Sequence, residues 1–506
     1  MREFIRLNYR QGSFWSMIFY HDEVTPGNIA APQNLRKFVG FYFSFREFGN
    51  DLLQHGCMWM RFGVLRTKDV IDKLPGKFSR VCGVVLDHML RNGENFVGSG
   101  VAVTVGAGES IIFHARLTNN FGDLDGLRKE FDAKNDSGTR PCMLCRKTLR
   151  KGQLTDPDHG LELDDSFVEI DCLDQSKFAL ATDETAWNAM DNLCREWNGW
   201  AGSVRAFEEL EQANGFNCNP MGLLMRLELR PLVGPVSTYT MDWPHLYLCQ
   251  GIGGNDLFPL VRGMRSVGIK FDTLREFCEP FVFPGYERKK GLKVLELFTE
   301  GREDTTKSCW KSDASEFLMV APLLQYFCQT VMVNFGHLAA QSRSFELVCK
   351  VIDLLQAIKK GRVSPVEKAA RLLKEAVVEH FTAYQAAYGA EAVKPKHHKA
   401  MHLWLQLLRD LFLMDTMPLE RDHKIPKRIG TVMENKLNWE KSVIIRDLAA
   451  QFNAQRDLDV SSGLRGWKEW TDMFGGAWVG GELYHCGMHI HVGDFILYNG
   501  VAIQVV

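Results

Sequence analysis

The sequence has almost no net charge, no regular cysteine framework, no low-complexity linker, no internal repeat and no uninterrupted apolar run of membrane-spanning length. Sixty Lys and Arg against 62 Asp and Glu leave a formal charge of −2. No global electrostatic footprint for nucleic acid exists, so any DNA contact has to come from local basic patches. The cysteines number 13, an odd count without regular spacing. That argues against a disulfide-stapled secreted fold and for reduced thiols in an intracellular setting. Met1-Arg2-Glu3-Phe4 opens without an apolar leader region. The most apolar stretch, Phe317 to Phe335, is broken by Pro322, Gln325, Gln329 and Asn334. It reads as a buried helix pair rather than a membrane span, and no membrane partner is expected.

What is present is ordinary globular material: 45% hydrophobic and 24% charged residues over 506 positions, enough for two to four domains. The first hundred residues read as strands. Phe14 to Val24 is aromatic and β-branched and ends in Asp22-Glu23-Val24-Thr25-Pro26-Gly27-Asn28. Lys37 to Phe45 and Cys57 to Leu65 are further strand candidates, and the three suggest an antiparallel meander. A helix is expected around Phe78 to Met89, then strands over Gly100 to Gly106 and Ser110 to Arg116, and a helix start at Asp123. From about Gly254 to Ala392 the apolar spacing turns helical, followed by a second helical block from His397 to Leu413. After Gly463 the pattern returns to short strands, with Gly480 to Val506 resembling a small β-barrel or hairpin module. The expected division is 1–253, 254–392 as an all-helical insertion, 393–460, and 461–506 as a small β module.

Several residues could carry chemistry. Asp22 and Asp123 each end a strand, where a carboxylate is rigidly held, reachable and suited to Mg²⁺. Each also has a plainer reading, Asp22 in a turn and Asp123 as a helix N-cap. Pro141-Cys142-Met143-Leu144-Cys145 holds a lone Cys-x-x-Cys, which alone fits redox, burial or half a zinc site. Lys394-Pro395-Lys396-His397-His398-Lys399-Ala400-Met401-His402 places His398 and His402 four apart, on one face of a helix. Joined, the two pairs would make a Cys₂His₂ zinc site, with His397 and Cys172 as alternative ligands. Taken alone, the histidines also fit a solvated basic patch. Asp242-Trp243-Pro244-His245 sets an Asp-x-x-His in an apolar stretch, where two polar groups need partners or a function. Glu420-Arg421-Asp422-His423-Lys424-Ile425-Pro426-Lys427-Arg428 opens a basic run, or a solvated helix, with a glutamate.

The order of these motifs resembles the catalytic region of eukaryotic cut-and-paste DNA transposases, nearest the CACTA (En/Spm)-like group, over roughly Trp15 to Asp447. Asp22 falls where the first acid of a DDE triad belongs. Asp123, in Asp-Leu-Asp-Gly-Leu-Arg-Lys, is similar to the family's Asp-Leu-Pro-Ala-x-Arg-Lys stretch with the second acid, Asp125 being its competitor. Asp242-x-x-His245 looks like the (Cys/Asp)-x-x-His signature of these superfamilies. The histidine pair followed by Glu-Arg is similar to the segment holding the third acid, here Glu420 with Glu440 in reserve. The V(D)J recombinase shares this serial logic of Cys-x-x-Cys, two histidines and glutamate.

The resemblance implies an α/β, ribonuclease-H-like mixed sheet flanked by helices and interrupted by the helical insertion. It implies Mg²⁺ (or Mn²⁺) held by Asp22, Asp123 and Glu420, and a structural Zn²⁺ on Cys142, Cys145, His398 and His402. The expected activity is metal-dependent DNA strand cleavage and strand transfer by a nuclear protein, expected to be a homo-oligomer. Lys394, Lys396, Lys399, Arg421, Lys424, Lys427 and Arg428 would grip phosphates. The rival readings are a catalytically inactive, transposon-derived DNA-binding or scaffold protein that keeps the fold and the zinc site, and a zinc-stabilised interaction module unrelated to transposons.

Overall fold

The computed structural model describes residues 2–25, 37–68, 70–105, 108–155, 161–283, 285–289, 291–334, 336–432 and 438–457, and beyond these only short strands between Gly463 and Gln504. It is a mixed α/β fold with a mixed sheet flanked by helices. Contacts divide the chain into unit 1 (Met1–Val70, Asp87–Leu117, Pro418–Val506) and unit 2 (Ile71–Leu86, Thr118–Met417).

In unit 1 the aromatic runs form the expected strands: β1 (Phe14–Val24), β2 (Phe38–Phe45) and β3 (Met60–Arg66), paired antiparallel in sequence. β4 (Val101–Val105) and β5 (Glu109–Gly122) follow, and the strand order is β3-β2-β1-β5-β4. Most side chains of β1 and β2 are buried, which explains their aromatic and aliphatic content on both faces. Gly40 is the exception that fits. It lies opposite Asp22, and a Cβ there would come 2.6 Å from the Tyr42 hydroxyl. The helix Trp439–Asp457 lays Trp439 and Val443 onto Val24, Phe38 and Val64.

The last residues of β5, from Thr118 on, belong to unit 2. There Asn120–Gly122 run parallel to β6 (Tyr239–Met241). The rest of unit 2 is mainly helical. Over 254–392 the described residues form helices and turns apart from a two-residue strand pair, Glu303–Asp304 with Cys309–Trp310. This segment shares unit 2 with residues 118–253 rather than forming a compact unit of its own. Ala339–Lys359 and Val366–Tyr388 bury Phe345, Val348, Ile352 and Leu355 against a matching stripe of Leu373, Val377 and Phe381. Ala314–Asn334 is long and apolar enough to cross a membrane by length and composition alone. Its Phe317, Val320, Leu324 and Phe327 are buried within unit 2.

In the C-terminal segment the described residues form antiparallel pairings, Gly463–Arg465 with Glu482–His485 and Met488–Ile490, Lys468–Trp470 with Ala477–Val479, and Phe495–Tyr498 with Val501–Gln504.

Candidate metal centre and the strand-end acids

The cysteine half of the centre is a tight turn. Cys145 N donates to Cys142 O, and the flanking Arg146 and Leu144 bond to Ala179 O and Ala181 N at 2.9 Å. Those bonds fix the turn as one edge of a bridge to Leu180, so both sulfurs face the same side. The histidine half begins on the helix Pro395–Ala400, started by proline at its first position. The sequence reading put His398 and His402 on one helix, but the helix ends before His402. A turn closes it, Met401 N to His398 O and His402 N to Lys399 O, before Leu403–Asp410 begins. The two imidazoles still converge, with their Nε2 atoms 3.3 Å apart.

Cys142, Cys145, His398 and His402 offer four ligand atoms within 4.8 Å of one another, and all four residues are buried. The Cys142 and Cys145 sulfurs lie 3.7 and 3.3 Å from His402 Nε2. A tetrahedral zinc with Zn–S about 2.3 Å and Zn–N about 2.0–2.1 Å requires N–N of about 3.3 Å and S–N of about 3.5 Å. The separations match, and these residues could bind a zinc ion. Burial by itself would raise the Cys142 thiol. The hydrogen bond from Cys145 and the neighbouring His402 and His398 reverse this and hold Cys142 well below the ordinary thiol range, while Cys145 sits well above it. Burial lowers His398 and keeps it neutral. A thiolate beside neutral imidazole is the protonation state a metal requires. Phe178 seals the site, its ring 4.7 Å from His398 and 5.8 Å from His402. The two alternative ligands lie outside the cluster. His397 Nδ1 accepts from Lys394 N and its ring packs on Tyr384, while Cys172 donates to Asp174 O.

From the histidines the helix Leu403–Asp410 leads directly to the acids. Gln406 takes both backbone bonds of Met241, the last residue of β6, and Arg409 donates to Tyr239 O and to Thr240 Oγ1. β6 ends beside β5, with Asp242 N on Gly122 O at 3.3 Å, so Asp123 and Asp242 leave adjacent parallel strand ends. Asp123 is the N-cap of Leu124–Glu130, accepting from Gly126 N, and its side chain is half-buried. Asp125 is on the exposed face and pairs with Arg128 and Lys129, both at 2.7 Å.

Asp242 is buried and accepts from His245 N, His245 Nδ1, Thr416 N and Thr416 Oγ1. With its oxygens engaged, Asp242 is a positioning group that fixes the half-exposed His245 and the Thr416 turn.

The other two acids lie in unit 1. Asp22 is half-buried on β1, and His423 Nδ1 stands 3.4 Å from its Oδ2. Burial, with Lys427 and Arg61 adding, lowers His423 to about 3, so this is a neutral imidazole on a carboxylate. Glu420 is exposed on the helix Met417–Asp422, three residues before that histidine. Glu440 pairs with Arg66 at 2.7 Å, an interaction within the fold. Sequence reading had missed a buried neighbour group: Arg61 pairs with Asp422 and, at 2.5 Å, with Asp447. Burial raises Asp447 to about 6 against the pull of Arg61.

The seven expected phosphate-gripping cations divide. Lys394 Nζ donates to Asn255 Oδ1 and to the Lys307 and Ser308 carbonyls. Lys396 Nζ donates to His245 O and Gln250 O, and Lys399, buried, pairs with Asp136 and Asn135. These three are structural cations of unit 2 rather than solvent-facing ones. Arg421, Lys424, Lys427 and Arg428 are exposed in unit 1, as a phosphate contact requires. No family profile matches the chain, and no match is found among curated proteins.

Proposed function

We propose that the chain is a metal-dependent DNA nucleotidyl transferase with a ribonuclease-H-like core. More narrowly, we read it as a transposase of the cut-and-paste kind, nearest the CACTA-like group, that cleaves and joins DNA strands in the nucleus as a homo-oligomer. The observation that carries the reading is the Cys₂His₂ cluster, in which a Cys-x-x-Cys just past Asp123 meets a histidine pair 257 residues later. That is the serial logic of the family it resembles. The antiparallel β1–β2–β3 order, β5 beside β1 and a parallel β5–β6 pair support the core assignment.

In this reading Asp22, Asp123 and Glu420 supply carboxylate oxygens, hard donors suited to Mg²⁺ or Mn²⁺. Bound metal would activate the attacking water or DNA 3′-hydroxyl and neutralise charge at the phosphorus. The chain's own contribution begins at the zinc cluster, and the next helix, Leu403–Asp410, holds β6 through Gln406 and Arg409. β6 in turn sets Asp242 and Gly122, and the Gly126 amide fixes the Asp123 carboxylate. Positioning of this kind matters on a scale of about 1 Å.

The test is nicking of supercoiled plasmid by purified, zinc-loaded protein in Mg²⁺ or Mn²⁺. Activity lost on Asp22→Asn or Asp123→Asn, with zinc content and melting temperature unchanged, supports the reading. Activity equal in wild type and variants refutes it. DNA binding without nicking in either metal favours the inactive, element-derived protein instead.

A further inference from the structure

We infer that Cys194 and Cys218 form a redox-reversible disulfide that staples a helical hairpin of unit 2. Cys194 lies on the helix Asp183–Gly199, and Cys218 follows the helix Val204–Asn214. Their sulfurs are 3.7 Å apart. A disulfide needs about 2.05 Å, so the two sulfurs would have to approach by a further ~1.6 Å. The zinc cluster uses other cysteines, Cys142 and Cys145.

The approach of the two thiols is built into the backbone. Gly215, left-handed at φ 80°, ends the second helix and turns the chain back. Cys218 N then donates to Glu211 Oε1 at 2.7 Å, and Glu211 Oε2 is held by Lys134 at 2.7 Å. Asn217 N donates to Asp132 O, and Asn219 Nδ2 to Asp132 Oδ1. Cys194 is buried and Cys218 only half-buried, so an oxidant meets Cys218 first. Burial raises both thiols, Cys218 to about 12 with Cys194 and Glu211 adding. Both thiols are therefore protonated at neutral pH, so the pair answers sustained oxidation rather than rapid exchange.

The oxidant is a low-molecular-weight disulfide of the glutathione class. Cys218 loses its proton, attacks one sulfur of the oxidant and expels the other half as a thiolate. Cys194 then loses its proton, attacks the Cys218 sulfur of the mixed disulfide and expels the second half. Two protein thiols are oxidised to one S–S bond while the oxidant is reduced to two thiols, which take up the released protons. The bond closes a loop that holds the last turn of the first helix and the whole of the second, and ties the first helix to the turn that hydrogen-bonds Asp132.

The experiment treats full-length, zinc-loaded protein with oxidised glutathione and maps its peptides without reduction. The expected result is a Cys194–Cys218 cross-linked peptide, two hydrogens lighter, reversed by a dithiol reductant. Zinc content stays constant and the melting temperature rises by roughly 4–10 °C. Cys194→Ser and Cys218→Ser each abolish the cross-link and the rise; should the buried serine at 194 unfold the protein, the half-buried 218 variant carries the test. A stable glutathione adduct on Cys218 without a cross-link overturns the proposal. So does loss of zinc before the cross-link forms, or a temperature rise that persists in Cys218→Ser.

Discussion

Gln406 completes the backbone of Met241: its Oε1 accepts from Met241 N at 2.9 Å and its Nε2 donates to Met241 O at 3.0 Å. A side-chain amide has one acceptor and one donor face, so it can stand in for a neighbouring strand at one residue of an open edge. Gln406 lies four residues after His402, one turn further along. The Cys₂His₂ cluster and β6 are thereby joined through one helix of unit 2.

Removing that amide should loosen β6 specifically. Gln406→Ala leaves a buried N–H and a buried C=O without partners, each worth about 1–3 kcal/mol. We expect a loss of roughly 2–5 kcal/mol in urea unfolding, with faster hydrogen exchange at Met241. Zinc content should stay the same, because no ligand is touched. Unchanged exchange at Met241 would show that the clamp is decorative.

The zinc cluster predicts one zinc per chain by elemental analysis. Cys142→Ser and His402→Ala should each abolish stoichiometric zinc, because three ligands leave a structural site open. Chelation should lower the melting temperature by at least about 10 °C, since binding energy at a structural site is folding energy. His397→Ala and Cys172→Ser should leave the zinc in place.

How much of this was legible in the sequence depended on the range of the signal. Cys-x-x-Cys and the histidine pair are local patterns whose spacing reflects one turn each, so they could be read from the sequence and their meeting inferred. The aromatic strands were legible for the same reason. The lysines of the histidine segment misled, because charge in a sequence does not say whether an ammonium faces water or a backbone carbonyl. Lys394 reaches Lys307 and Ser308, and Lys399 reaches Asp136, across gaps with no local mark. Gln406 on Met241 and the Arg61 pairs with Asp422 and Asp447 were hidden in the same way. Asp123 was ambiguous between N-cap and ligand, and it is a cap in fact, which leaves its second role to experiment.

Stability should fall with rising pH through Asp132. Burial raises this carboxyl from 3.8 to about 7, with Glu211 adding and hydrogen bonds from Ser79 and Asn219 opposing. Folded protein therefore keeps a proton that the unfolded chain releases above about pH 4. The stabilisation is full below pH 4, declines through the interval and is lost above pH 7, at about 1.4 kcal/mol per unit. Urea unfolding at pH 5 and pH 8 should show a difference smaller by roughly 2–3 kcal/mol in Asp132→Asn than in wild type. Equal differences in the two proteins would mean that Asp132 titrates normally.

DNA binding, if the proposed function holds, should separate the basic residues into two classes. Arg421, Lys424, Lys427 and Arg428 are exposed, so each is free to neutralise a phosphate and release a counterion. Replacing all four by alanine should weaken binding to unrelated sequences alike and reduce the slope of log K against log salt by about 3–4. Lys399→Ala should act differently. Its ammonium is buried against Asn135 and the partly exposed Asp136, so removal leaves the buried Asn135 Oδ1 without its donor and lowers stability by about 1–3 kcal/mol, with the salt slope unchanged in protein that remains folded. A titration of fluorescent duplex at several salt concentrations, run beside thermal melts, distinguishes the two. A salt slope that falls in Lys399→Ala and not in the quadruple variant would reverse the assignment, placing the phosphate contact in the histidine segment of unit 2.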